Sequence, residues 1–138
     1  MYLEHLNLVV SNLDKTLKFY QAAFPHWYVR GQGQQNWFGS QRNWVHFGDE
    51  NTFITFNDKG TGENRPLNTN QLGLSHFGYV TNNLSALVER LANVGFKVDK
   101  QGSENQYRKN VYYLDPDNYE VEFVQYFSDI PNEKNIYD

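Results

Sequence analysis

Cysteine is absent from the 138 residues, which excludes disulfides, thiolate metal sites and a cysteine nucleophile together. Any metal must therefore be held by histidine and carboxylate. No apolar run approaches the roughly 18 residues of a membrane-spanning helix, and Met1 leads straight into a patterned segment instead of a basic, then apolar, leader. A cytoplasmic protein with no membrane partner is the expectation. Nor is there a Lys/Arg run: with 12 basic against 16 acidic residues and a net charge of −4, a nucleic-acid partner is not expected. Aliphatic residues are sparse while aromatics reach 17%, so rings must build much of the core and are available to line a cavity. A chain of this length buries roughly two-thirds of its unfolded surface, enough for a single domain.

Residues 3–10 read as a strand, with Leu6, Leu8 and Val10 on one face and His5, Asn7 and Val9 on the other. Ser11 and Asn12 offer a cap, and Leu13, Leu17, Tyr20 and Phe24 form a helical stripe that Pro25 stops. Residues 27–42, rich in Gly, Gln and Asn, read as a short strand over 27–30 followed by loop. Strands over 43–47 and 52–57 come next, then a polar linker. The order then repeats: a strand over 74–80, a helix capped by Asn82-Asn83 with the stripe Leu84, Leu87, Val88 and Leu91 and closed by Gly95, and strands over 96–98, 110–114 and 119–125.

The repeat is literal. His5, Val9, Asn12 and Leu13 match His76, Val80, Asn83 and Leu84 at one offset of 71, and residues 48–56 lie over 115–123 at an offset of 67. Each unit is βαβββ. The expected organisation is one domain over 1–138, with module one about 1–58, a linker about 58–72, module two about 73–127 and a C-terminal tail over 128–138.

Strand parity puts His5, His76 and Glu122 on the face opposite the apolar, helix-covered side. Two imidazoles and one carboxylate are the ligand set of a facial triad with open positions, suited to one divalent Fe, Mn, Zn or Ni. With a four-residue turn at 115–118, Tyr113 opposes Glu120 and Val111 opposes Glu122; equivalent pairing sets His46 beside Phe53 and Trp44 beside Thr55. Asn7, Trp44, Thr55, Tyr113 and Glu120 are thus candidate substrate-facing residues. His46, a candidate catalytic residue with Glu122, could orient a ligand, act as a base or bond to water. Arg42, Arg108 and Lys109 flank these strands and could meet an anionic substrate, whereas His26, after Pro25, is expected to be exposed.

The opening Leu3-Glu4-His5-Leu6-Asn7-Leu8-Val9-Val10 with Leu13-Asp14 and Phe19-Tyr20, the second opening Leu74-Ser75-His76-Phe77, and the closing Leu114-Asp115-Pro116-Asp117 with Glu120-Val121-Glu122 resemble the vicinal oxygen chelate superfamily. That superfamily includes glyoxalase I, extradiol dioxygenases, fosfomycin-resistance thiol transferases and bleomycin-resistance proteins. The resemblance runs to about residue 127 and implies an α+β fold: two βαβββ modules forming a curved mixed sheet around a metal and substrate cleft, helices outside. It implies the same ligands, His5, His76 and Glu122, and a small-molecule substrate that chelates the cation through adjacent oxygens in a dioxygenase, transferase or lyase reaction. It also implies a homodimer. The fourth family position falls on Thr55, where glyoxalase I carries Glu or Gln, so glyoxalase I activity is not expected. The alternative is a metal-free binding protein of bleomycin-resistance type.

Overall fold

A computed structural model describes residues 1–137; Asp138, the end of the tail expected over 128–138, lies outside them. The chain is α+β and divides into two compact units, Met1–Glu63 and Asn64–Asp138. The first runs β1 (His5–Val9), α1 (Leu13–Ala23), β2 (Tyr28–Trp37), β3 (Ser40–Gly48) and β4 (Phe53–Asn57). Its sheet has the order β1-β4-β3-β2, with β1 parallel to β4 and the other pairs antiparallel. The second runs β5 (Phe77–Val80), α2 (Leu84–Asn93), β6 (Lys100–Asn105), β7 (Arg108–Leu114), β8 (Glu120–Tyr126) and a short α3 (Pro131–Lys134). It repeats the same order, β5-β8-β7-β6, with β5 parallel to β8.

Both long helices start where the expected caps lie. Asn12 Oδ1 accepts from the Lys15 N–H at 3.0 Å and Asn83 Oδ1 from the Ala86 N–H at 3.0 Å, each satisfying a donor that the first helical turn leaves free. α1 ends before Pro25, and Gly95 follows α2 at φ 93°. α1 buries Thr16, Phe19, Tyr20 and Ala23, and Tyr20 packs on Phe56 of β4 with ring centroids 4.8 Å apart. Val45, Phe47, Ile54 and Phe56 complete this core at under 5% exposure. In the second unit Leu84, Leu87 and Leu91 of α2 are buried, as are Val111, Tyr113, Val121 and Phe123 of the sheet.

The strand expected over 74–80 begins only at Phe77, so that His76 directly precedes β5; two others depart from the sequence expectation for one reason. Residues read largely as loop over 27–42 form the ten-residue β2, and the strand expected over 96–98 instead occupies Lys100–Asn105. Both are polar edge strands, β2 with the sequence YVRGQGQQNW and β6 with KQGSEN. Unlike the outer strands β1 and β5, these two edges carry few apolar side chains, so hydrophobic alternation does not mark them. What holds β2 is its ladder to β3, with Gly33 opposite Trp44. A Cβ on Gly33 would lie 2.8 Å from the Trp44 ring, so glycine is what lets the indole lie against the strand. α3 carried no expectation.

Phe56 is fully buried, so Phe56→Glu should cost about 3 kcal/mol or more, because a charge replaces a core ring. Urea denaturation checks this; a midpoint equal to that of the parent would contradict the assigned face of β4.

Candidate functional site

The face of each sheet turned away from its buried core collects the polar and ring-bearing side chains. In the first unit, β1 pairs with β4 so that His5 opposes Phe53 and Asn7 opposes Thr55, while β3 sets His46 opposite Thr55 and Trp44 opposite Asn57. The expected first-unit register is therefore two residues out. A slip of two preserves the face, and so His5, Asn7, Trp44, His46 and Thr55 do gather, lining with Phe53 and Asn57 a cavity of about 310 Å³. Asn57 Nδ2 donates to Asn7 Oδ1 at 2.6 Å. Thr55 is 6% exposed.

In the second unit the slip is one residue, and one residue reverses the face. Leu114 pairs with Glu120, so the β7–β8 turn holds five residues where Gly48 and Phe53 enclose four. Asp115 Oδ1 accepts from the N–H groups of Asp117 and Tyr119, both at 2.9 Å, and Asn118 takes the left-handed φ of 62°. As a result Tyr112, not Val111, opposes Glu122, and Tyr113 opposes Val121. Tyr113, expected on the substrate face, is fully buried and meets Phe123 edge-on in the core. Burial raises its pKa. Tyr112 and Asn110 take the place expected for it; an Asp-Pro-Asp-Asn turn with a left-handed Asn was the signal for the longer loop.

His76, Glu120 and Glu122 are brought together. The His76 ring lies between two carboxylates, Nδ1 3.5 Å from Glu120 Oε1 and Nε2 3.3 Å from Glu122 Oε2. Glu120, 6% exposed, turns its other oxygen to Lys100 Nζ at 3.1 Å. Glu122 receives the Asn110 Nδ2 donor on Oε1 at 2.8 Å, which leaves Oε2 for the imidazole. Tyr112 stands edge-on to His76 at 5.4 Å, and burial followed by the Glu122 charge raises its pKa. Asn110 is buried beside Gly102, where any Cβ would collide with its amide. Lys100, Asn110 and Tyr112 escape the sequence reading because their roles depend on register.

Cation positions also sort out. Lys109 pairs with Glu104 at 3.6 Å and the Arg108 guanidinium lies 5.0 Å over the Tyr137 ring, so both have local partners. Arg30, which sequence analysis did not single out, sits at a bulge of β2 with its guanidinium carbon 4.4 Å over the Phe53 ring. His46 is held below its ordinary pKa of 6.5, first by burial and then by the Arg30 and His5 charges. Among the described residues no group of three or more His, Asp or Glu side chains is arranged to hold a metal ion, and no helix is long and apolar enough to cross a membrane.

The family model for the Glyoxalase/Bleomycin resistance protein/Dioxygenase superfamily matches residues 2–123. Protein psiO of Dictyostelium discoideum is 42% identical over 64 residues, 44% of this chain; the chain spans only 8% of the length of that relative. A glyoxalase family protein from Bacillus cereus superposes with a TM-score of 0.76 at 11% identity, over 93% of this chain and 95% of that one. The fosfomycin resistance protein FosX from Listeria monocytogenes, solved with Mn(II) and sulfate, does so at 0.67 and 20% identity over 96% of each chain.

The His46 environment has a measurable sign. Because its folded pKa is lowered, the unfolded chain binds the proton more readily. The residue contributes nothing above both values and destabilises the fold as pH falls below about 6.5. His46→Gln should therefore show a shallower loss of urea stability between about pH 7 and pH 5 than the parent. Identical slopes would mean that His46 titrates as it does in the unfolded chain.

Proposed function

The chain belongs to the Glyoxalase/Bleomycin resistance protein/Dioxygenase superfamily, and from this premise we propose that it is a small metal-dependent enzyme whose ligands are His5, His76 and Glu122. The observation that carries the reading is the meeting of His76 Nε2 with Glu122 Oε2 at 3.3 Å while Asn110 holds the other carboxylate oxygen. An imidazole nitrogen and an oriented carboxylate oxygen at this separation fit a divalent cation, and a hydrogen-bonded outer partner is what such ligands require. His5 is assigned as the second imidazole because it holds in the first unit the repeat position that His76 holds in the second. The Mn(II) in the FosX structures supports a divalent metal in general.

A cation held by His5, His76 and Glu122 would supply Lewis-acid polarisation of substrate oxygens and stabilise negative charge developing there. The residues of the chain do the rest. Asn110 orients Glu122, and Glu120, neutralised by Lys100, holds His76 from its opposite nitrogen. His46, whose lowered pKa keeps it neutral around pH 7, is the candidate proton acceptor on the cavity side. Asn7 and Trp44 border the substrate. Thr55 offers only a short hydroxyl where a carboxylate would complete the shell, which favours dioxygenase, transferase or lyase chemistry with an open coordination position over glyoxalase I. A homodimer is part of this reading. The ring-lined cavity also suits a metal-free binder, and metal content separates the two.

Protein purified without chelator or His-tag should hold close to one equivalent of a transition metal, and Glu122→Gln or His76→Ala should lower its affinity by about tenfold or more. Metal below about a tenth of an equivalent, with no gain on adding Mn, Fe, Co, Ni or Zn, would favour the binder. Thr55→Glu should raise divalent-metal affinity in a chromogenic-chelator competition, because a second carboxylate offsets more of the cation charge. Equal affinity in the two proteins would remove Thr55 from the metal surroundings.

A further inference from the structure

Four rings run in unbroken succession across the face of the first sheet turned away from its core. His5 stacks on Phe53 at 4.8 Å and 12°, Phe53 meets His46 at 4.7 Å and 30°, and His46 meets Trp44 at 4.8 Å and 44°. The column crosses β1, β4 and β3 and borders the 310 Å³ cavity. A sheet face destined only for water has no use for four contiguous rings, of which His5, His46 and Trp44 keep area exposed while Phe53 is 8% exposed.

The neighbouring strand is built to leave that surface open on one side and charged on the other. Opposite Trp44 stands Gly33, which allows the indole to lie against β2. Opposite His46 the β2 register shifts between Val29 and Gly31, so that Arg30 is an extra residue. A bulge of this kind re-aims a side chain. Gly31 has none, and Arg30 is carried over Phe53, 4.4 Å from its ring centre. Arg30 forms no ion pair among the described residues, and its charge reaches far enough to depress His46. A guanidinium over Phe53, the second ring of the succession and part of the cavity wall, presents its in-plane donors to an anion approaching beside that cavity.

We propose that this column and Arg30 form a binding site for a planar aromatic anion, its ring stacked beside His46 and Trp44 and its carboxylate or similar oxyanion paired with Arg30. The proposal names the substrate class of the cavity described above and rests on the functional reading only in taking that cavity as the substrate's. A volume of 310 Å³ lies at the lower end of the roughly 300–1,000 Å³ typical of ligand pockets, which suits a one- or two-ring molecule better than a nucleotide.

The test uses the full chain stripped of metal with EDTA and three probes, benzoate, cyclohexanecarboxylate and benzamide, titrated by calorimetry and by NMR of the indole N–H signals. Benzoate should bind about tenfold more tightly than either of the others, since only it combines flat ring and charge. Arg30→Gln should weaken benzoate about tenfold and leave benzamide unchanged, while Trp44→Leu should weaken both. Arg30 lies on an edge strand away from the core, so the variant should fold, which its NMR spectrum verifies. Equal binding of benzoate and cyclohexanecarboxylate, or unaltered benzoate binding by Arg30→Gln, would overturn the inference. Binding seen only after Mn(II) is added would overturn it too, while supporting the metal site; failure to bind metal would leave benzoate binding in EDTA intact.

Discussion

Asp115 Oδ1 takes two backbone N–H donors, from Asp117 and Tyr119, and Asn118 closes the turn in a left-handed conformation. Those bonds set the loop between β7 and β8 at five residues, and the parity of that number decides which side chains of β7 accompany Glu122. With five, Asn110 and Tyr112 stand on the carboxylate face and Tyr113 joins Phe123 in the core. With four, Val111 would face Glu122 and Lys109 would take the place of the amide that orients it. The second-unit site thus depends on a local turn preference more than on any contact among the site residues themselves.

The two exposed faces have opposite electrostatic character although they derive from one repeated unit. The first carries His5, His46 and Arg30 around a ring column; the second carries Glu120 and Glu122 with Lys100 as their cationic partner. Thr55 and Glu122 occupy matching places on β4 and β8, since Asn7 opposes the first and Gly78 the second in the parallel ladders. The same scaffold position supplies a short hydroxyl in one unit and a carboxylate in the other. Burial on the helix side is conventional in both, so the fold tolerates this divergence: the two faces of a strand are energetically separate.

Buried carboxylates here are never left without donors. Glu120 has Lys100 and His76, and Asp58, 8% exposed, accepts from the Asn43 backbone at 2.8 Å and side chain at 2.7 Å. Both lie where a strand would otherwise bury charge at a cost of several kcal/mol. Asp58 therefore anchors β4 to β3 structurally, whereas Glu120 fixes the orientation of a histidine, and only the identity of the partner separates the two cases.

The repeat was legible in the sequence because it is written in local terms. The Asn caps, the helical stripes, Pro25 and Gly95 act within one or two turns of chain, and strand alternation identified His5, His76 and Glu122 as residues of the uncovered face. The polar edges β2 and β6 were not legible, because ladder hydrogen bonds rather than side-chain hydrophobicity hold them. Register was not legible either: moving the first-unit pairing by two residues kept His46 and Trp44 in the cavity, while moving the second by one exchanged Tyr113 for Tyr112 and Asn110. The sequence by itself determined the helix caps and stripes, the repeated order of the main elements and the family resemblance. Tertiary structure alone decided which side chains meet, because pairing across strands depends on turn length and on bulges such as that at Arg30, and a single inserted residue inverts a face without altering the pattern of any strand.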